Sequence, residues 1–165
     1  MKYIRIRVLL FILFFILSTV ITLVGTLTPI DYTSAQTIIE EVPIPSEIDS
    51  LYILQNNLFI ALVGFVPIIG IIWMFFVLYS TGIVLSAYSV VYNVPPIVSI
   101  LILLINPIFW IEFSAYTLVM MEGTMLVYSA FKKEVNKELK VALLVLIAVI
   151  ILLTLGAVIE VQMLI

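Results

Sequence analysis

Leu51–Tyr92 reads LYILQNNLFIALVGFVPIIGIIWMFFVLYSTGIVLSAYSVVY, 42 residues without a charge. An α-helix rises about 1.5 Å per residue and a hydrocarbon core is about 30 Å thick, so one crossing takes roughly 20 residues. The stretch is too long for one span and right for two. Pro67, between Gly64 and Gly70, marks the break, because proline removes a backbone donor and clashes with the preceding turn. The arm 51–66 is short and carries Gln55, Asn56 and Asn57 near its start, whereas 68–92 is ample.

Working outward, a second apolar stretch runs from Pro95 to Phe131, interrupted at Asn106-Pro107. Its first piece, 97–105, would rise only about 14 Å and predicts a half-helix, either re-entrant or lying along the membrane surface. The second piece, 107–130, predicts a full span. At the ends of the chain, 6–27 and 141–162 are each long enough to cross. The basic start of the first run is also a feature of signal peptides, but the run is long and no A-x-A-like cleavage site follows it, so a retained span is expected. Ser18, Thr22 and Thr26 recur every fourth residue along it, a small-residue stripe suited to close helix contact. Gly82 and Ser86 repeat that spacing on the third span. In the segment 29–50, Thr33 to Val42 predicts a short helix capped by Thr33 or Ser34 and ending before Pro43; Pro45 and Glu47 follow it.

Composition agrees. Of 165 residues, 65% are hydrophobic and 10% charged, with mean hydropathy +1.37; soluble domains run about 45–50% apolar and about 25% charged. The expected fold class is all-α: one polytopic transmembrane helix bundle over 1–165, of about five spans with two broken segments. A soluble fold is excluded. The chain has no Cys and no His, which excludes disulfides, thiolate or imidazole metal sites and a Ser-His-Asp triad. No cofactor and no enzymatic role are expected.

The seven cations fall in two clusters, Lys2, Arg5 and Arg7, then Lys132, Lys133, Lys137 and Lys140. The positive-inside rule assigns both to the cytoplasm. The loop 29–50, with five acids and no cation, is then outside. Three crossings between residues 50 and 132 satisfy the parity, and the last run ends outside. A multi-pass protein of the cell membrane follows, with the N-terminus in, a cytoplasmic loop 131–140 and the C-terminus out.

Three carboxylates lie within apolar sequence: Glu112, Glu122 and Glu160. A charged acid at mid-bilayer costs roughly 2.5–3.5 kcal/mol on insertion scales, so such residues face protein or water. Glu160 sits near the end of its helix and reads as interfacial. Glu112 and Glu122, ten residues apart on one helix, point about 80° away from each other and form no dyad. One reading makes them an ion path. The other makes Glu112 part of a polar knot with Asn56, Asn57, Asn106 and tyrosine hydroxyls, holding the broken helices together. No intramembrane Lys, Arg or His is evident as a counter-charge.

The order of these marks resembles the stage II sporulation protein M family of integral membrane proteins. The residues that carry the resemblance are Asn56-Asn57, then Pro67 and Gly70, Tyr79-Ser80-Thr81-Gly82, and Asn106-Pro107-Ile108-Phe109-Trp110-Ile111-Glu112 with Ala115-Tyr116. Pro107 and Glu112 hold the spacing of the family's Pro-His-Gly-x-x-Glu pattern, with Ile108 and Phe109 in place of its His and Gly. The resemblance covers about residues 51–130. It implies a membrane component that holds other proteins rather than a hydrolase.

The resulting expectation is a non-enzymatic scaffold or accessory subunit, with Asn56, Asn57, Pro67, Asn106, Pro107, Glu112 and Tyr116 as its structural knot. The alternative is a small proton, cation or solute translocator using Glu112 and Glu122. The lipid bilayer and other membrane proteins, or further copies of the chain, are the expected partners; nucleic acid is not.

Overall fold

The computed structural model describes residues 2–42 and 49–164, and its regular elements are all helices. In chain order they are α1 Lys2–Leu27, α2 Tyr32–Glu41, α3 Ser50–Gly64, α4 Ile69–Val91, α5 Pro96–Ile105, α6 Pro107–Phe131 and α7 Val135–Leu164. The apolar runs become helices because in hydrocarbon every backbone donor needs a partner within its own segment. Breaks fall at the prolines: Pro67 between α3 and α4, Pro95-Pro96 before α5, and Pro107 at the first turn of α6.

Three helices, α1, α4 and α7, are long and apolar enough to cross a membrane. The pair α5 and α6, bent by 79°, makes a fourth if taken as one span. The expected fifth span is represented by α3, whose 15 residues rise only about 22 Å.

Helix α6 is the centre of the bundle. Val119, Met120 and Met125 are fully enclosed on it, and Met74 and Leu78 from α4 and Val149 and Leu153 from α7 join them in the core. Helices α1 and α4 run side by side in the same direction. Thr22 Oγ1 of α1 donates to the Leu78 carbonyl at 3.2 Å, and Ser86 Oγ of α4 donates to the Thr28 carbonyl at 2.8 Å. The stripe Ser18, Thr22 and Thr26 is buried beneath α4. The two helices come closest at Gly25 and Gly82: a Cβ at position 82 would clash with the Thr22 carbonyl oxygen and lie 2.8 Å from both Gly25 Cα and Thr26 N. Helix α6 runs antiparallel to α1, with Tyr3 against Tyr128 and Phe15 against Trp110, ring centroids 6.1 and 5.9 Å apart.

Two expectations are corrected. The short helix of the 29–50 segment starts at Tyr32 and is capped by Asp31, not by Thr33 or Ser34. The Asp31 carboxylate accepts from Ser34 N at 3.0 Å and Ser34 Oγ at 2.7 Å, so it takes the N-cap and leaves serine as its donor. Pro43, Pro45 and Glu47 lie outside the described residues. The loop expected over 131–140 shrinks to 132–134, because α7 begins at Val135. Nothing in 135–140 breaks a helix, and Glu138 in its first turn complements the positive end of the helix dipole.

Candidate functional site: two polar clusters inside the bundle

The first cluster joins α3, α6 and α7. Asn57, buried on α3, donates through Nδ2 to Glu112 Oε1 at 2.5 Å, and Asn56 Nδ2 reaches Asn57 Oδ1 at 3.4 Å. Gly156 of α7 faces the same carboxylate; a Cβ there would sit 3.7 Å from Glu112 Cγ. Small residues on α7 thus leave room for Glu112 between the helices. Tyr116 is buried one turn further along α6. Asn106 and Pro107 shape the start of that helix: Asn106 Oδ1 accepts from Ile108 N at 2.9 Å, and Pro107 fills a first-turn position where an N–H would have no acceptor. Trp110 Nε1 donates back to the Leu104 carbonyl at 2.9 Å and ties α5 to α6 across the bend. Of the expected knot, Asn56, Asn57 and Glu112 are in one hydrogen-bonded chain. Pro67 is not part of it: it lies beyond the other end of α3, in the turn to α4.

The second cluster was not anticipated. Arg7 of α1 donates to two carboxylates, through Nη1 to Glu122 Oε2 of α6 and through Nη2 to Glu138 Oε1 of α7. The sequence suggested no counter-charge for Glu122; Arg7 supplies it, because α1 is helical from Lys2 and a long guanidinium side chain reaches inward from its first turns. Glu122 is 0% exposed. Its second oxygen, Oε1, is buried without a partner. Nearer the end of the bundle, the Tyr3 hydroxyl donates to Glu134 Oε2 at 2.6 Å and Lys137 Nζ to Glu134 Oε1 at 3.1 Å. These two donors hold the Glu134 carboxyl below the usual carboxylate range. A crevice of about 440 Å³ opens here, lined by Tyr3, Arg7, Ser129, Glu134, Lys137 and Glu138 among others.

Glu112 and Glu122 therefore engage different partners at different depths, as their divergent directions on α6 require. Ala115, Val119 and Met120, all fully buried, fill the core between them. Among the described residues, no three His, Cys, Asp or Glu side chains come together as a metal site. One signal for Arg7 was present in the sequence. The parity of crossings puts the start of α1 and the 132–140 region at one end, which is where Arg7 meets Glu138.

Fold and site together define a class: an all-helical chain with three to four helices able to cross a bilayer and its buried acids held by other helices of the same chain. No family model, curated protein or solved structure matches the chain.

Proposed function

We propose that the chain is a non-enzymatic multi-pass protein of the cell membrane, acting as a scaffold or accessory subunit for other membrane proteins. One observation carries this reading: each acid in the core of α6 is engaged from another helix, Glu112 by Asn57 and Glu122 by Arg7. Polar groups spent on joining helices are a device of architecture, and sealed apolar packing separates the two clusters. The resemblance to the stage II sporulation protein M family, whose namesake holds other proteins, points the same way. The N-terminus is taken as cytoplasmic and the C-terminus as outside, since both cation clusters belong to the end where Tyr3 meets Glu134 and Arg7 meets Glu138.

The rival reading, a proton or cation translocator, draws on Glu122 Oε1, the buried oxygen without a partner. Chemical cross-linking in native membranes, followed by extraction in a mild detergent and mass analysis, tests the proposal. The expected result is a discrete complex heavier than the 18.6 kDa chain. A protein that stays monomeric in every membrane preparation contradicts it.

A further inference from the structure

We infer that α3 and α4 form a re-entrant hairpin whose tip, Phe65–Ile69, stops inside the hydrocarbon instead of crossing to the Lys132 end of the bundle. Four independent observations lead there. The first is depth. The carbonyls of Gly64 and Phe65 lie against Gly123 of α6, 3.5 and 3.6 Å from where its Cβ would be. Gly123 is nine residues before Lys132, so the tip stops about 13 Å short of that end. Helix α3 adds about 22 Å on the other side, so the two lengths together, about 35 Å, cover a core of about 30 Å with a few ångströms left for the headgroup level.

The second is chemistry. The connections 28–31, 92–95 and 132–134 each carry a charged or amide side chain: Asp31, Asn93, and Lys132, Lys133 and Glu134. The tip reads Phe65-Val66-Pro67-Ile68-Ile69 and carries none, yet Val66, Ile68 and Ile69 are 43%, 64% and 63% exposed. A turn meeting water would not show three aliphatic side chains and nothing polar.

The third is backbone accounting. Phe65 N donates to the Ala61 carbonyl, Val66 N to Val63, Ile69 N to Pro67, Gly70 N to Val66 and Ile71 N to Ile68. Pro67 has no N–H to satisfy. Of the six N–H groups from Phe65 to Ile71, five find a backbone acceptor and Ile68 N does not. Reversal of the chain at membrane depth is tolerated where the backbone is sheltered by protein, as the Gly64 carbonyl is against Gly123 of α6.

The fourth is strain. Ile68 sits at φ 69, ψ −60, closing a three-residue γ-turn through Ile69 N and the Pro67 carbonyl at 2.8 Å. This left-handed conformation is rare for a β-branched residue. It makes the tightest reversal available, and places no residue deeper than the turn itself.

Helix α4 is long enough to cross by length, but its starting depth is fixed by the hairpin. Replacing two crossings by none leaves the parity unchanged, so the two cation clusters still share one side. The Pro67 hairpin is thus a second feature that dips into the membrane, beside the 97–105 segment, whose 79° bend against α6 fits a broken span or a re-entrant loop. The inference is independent of the scaffold reading.

Because the chain has no cysteine, single substitutions report position cleanly. Val66→Cys and Ile68→Cys are to be compared with Gln36→Cys and Lys132→Cys in sealed vesicles of both orientations, using a membrane-impermeant maleimide. Positions 66 and 68 are expected to label at least about tenfold more slowly than both controls from either side, and fully once detergent is added. A nitroxide at either position is expected to collide with oxygen in preference to a water-soluble nickel chelate. The spin-label result applies to folded protein only, so each variant is first required to match the wild-type melting curve; Leu62→Cys, exposed one turn earlier on α3, serves where a tip variant does not. Rapid labelling at 66 or 68 from the side that labels Lys132→Cys overturns the inference. Rapid labelling from the Gln36→Cys side overturns it equally, since the tip would then lie in water.

Discussion

Replacing Arg7 by methionine should be among the most damaging single substitutions in the chain. The side chain keeps its length and loses its charge, leaving Glu122 wholly buried and Glu138 nearly so, with side-chain exposures of 0% and 10%. Removing one partner of a buried ion pair costs about 3–5 kcal/mol because the other charge is stranded. Here one guanidinium serves two carboxylates, so Arg7→Met belongs at the upper end of that range, a factor of roughly several thousand in the folding equilibrium. Glu122→Gln has the opposite logic. It leaves one cation facing one anion, Arg7 and Glu138, and the amide still accepts from Nη1, so its cost should be less than half that of Arg7→Met. The double variant should cost less than the sum of the two singles, since one of the two stranded charges, that of Glu122, has been removed while Glu138 remains unpaired. Equilibrium unfolding of all three variants in mixed micelles, followed by tryptophan fluorescence from Trp73 and Trp110, measures these differences. An Arg7→Met protein within about 1 kcal/mol of wild type would refute the reasoning, because the triad would then be a surface pair of little worth.

Other perturbations follow from close contacts and special backbone. Gly82→Ala should destabilise by about 1–3 kcal/mol, since its Cβ meets only backbone of α1, whereas Gly156→Ala, with its nearest neighbour at 3.6 Å, should be neutral or gain about 0.5–1 kcal/mol from helix propensity; paired thermal melts compare them. Ile68→Gly should raise stability by about 0.5–2 kcal/mol, because relief of a strained φ outweighs the entropy of glycine at an exposed position, again read by melting. Asp31 is held below the usual carboxylate range by the Ser34 hydroxyl and backbone N–H. A depressed folded-state value means the cap's support for α2 is present above the ordinary aspartate range and is lost as pH falls through the lowered value. Hydrogen exchange of α2 amides against pH should show that loss in wild type and none in Asp31→Asn, which keeps the acceptor oxygen without titrating.

The helical class was legible because an uncharged run of 42 residues admits no other solution in lipid, and the prolines located the breaks before α4, α5 and α6. The stripe Ser18, Thr22 and Thr26 could be matched to a neighbour because small residues at four-residue spacing form a contact face on any helix. Asn57 and Glu112 were legible as partners for a different reason: each is a polar residue stranded in apolar sequence, and each needs the other. Arg7 was not, since it sits among cations whose first meaning is topological, and only the third dimension carries α7 close enough to add Glu138. The depth of the α3–α4 turn was likewise hidden. Sequence length shows that 51–66 is short, but where the turn stops is decided by Gly123, more than fifty residues away. Asp31 displaced Thr33 and Ser34 as the cap because a serine two or three residues further on can donate to it, a competition local propensity does not rank.

Sealed apolar packing between two internally paired clusters is the property on which the functional reading stands, and passive flux through proteoliposomes measures it most directly. With the purified chain reconstituted under a pH or potassium gradient, proton and cation flux should equal that of protein-free vesicles. Flux above that background that Glu112→Gln or Glu122→Gln abolishes would contradict a purely architectural role for these acids and make the chain a conductor.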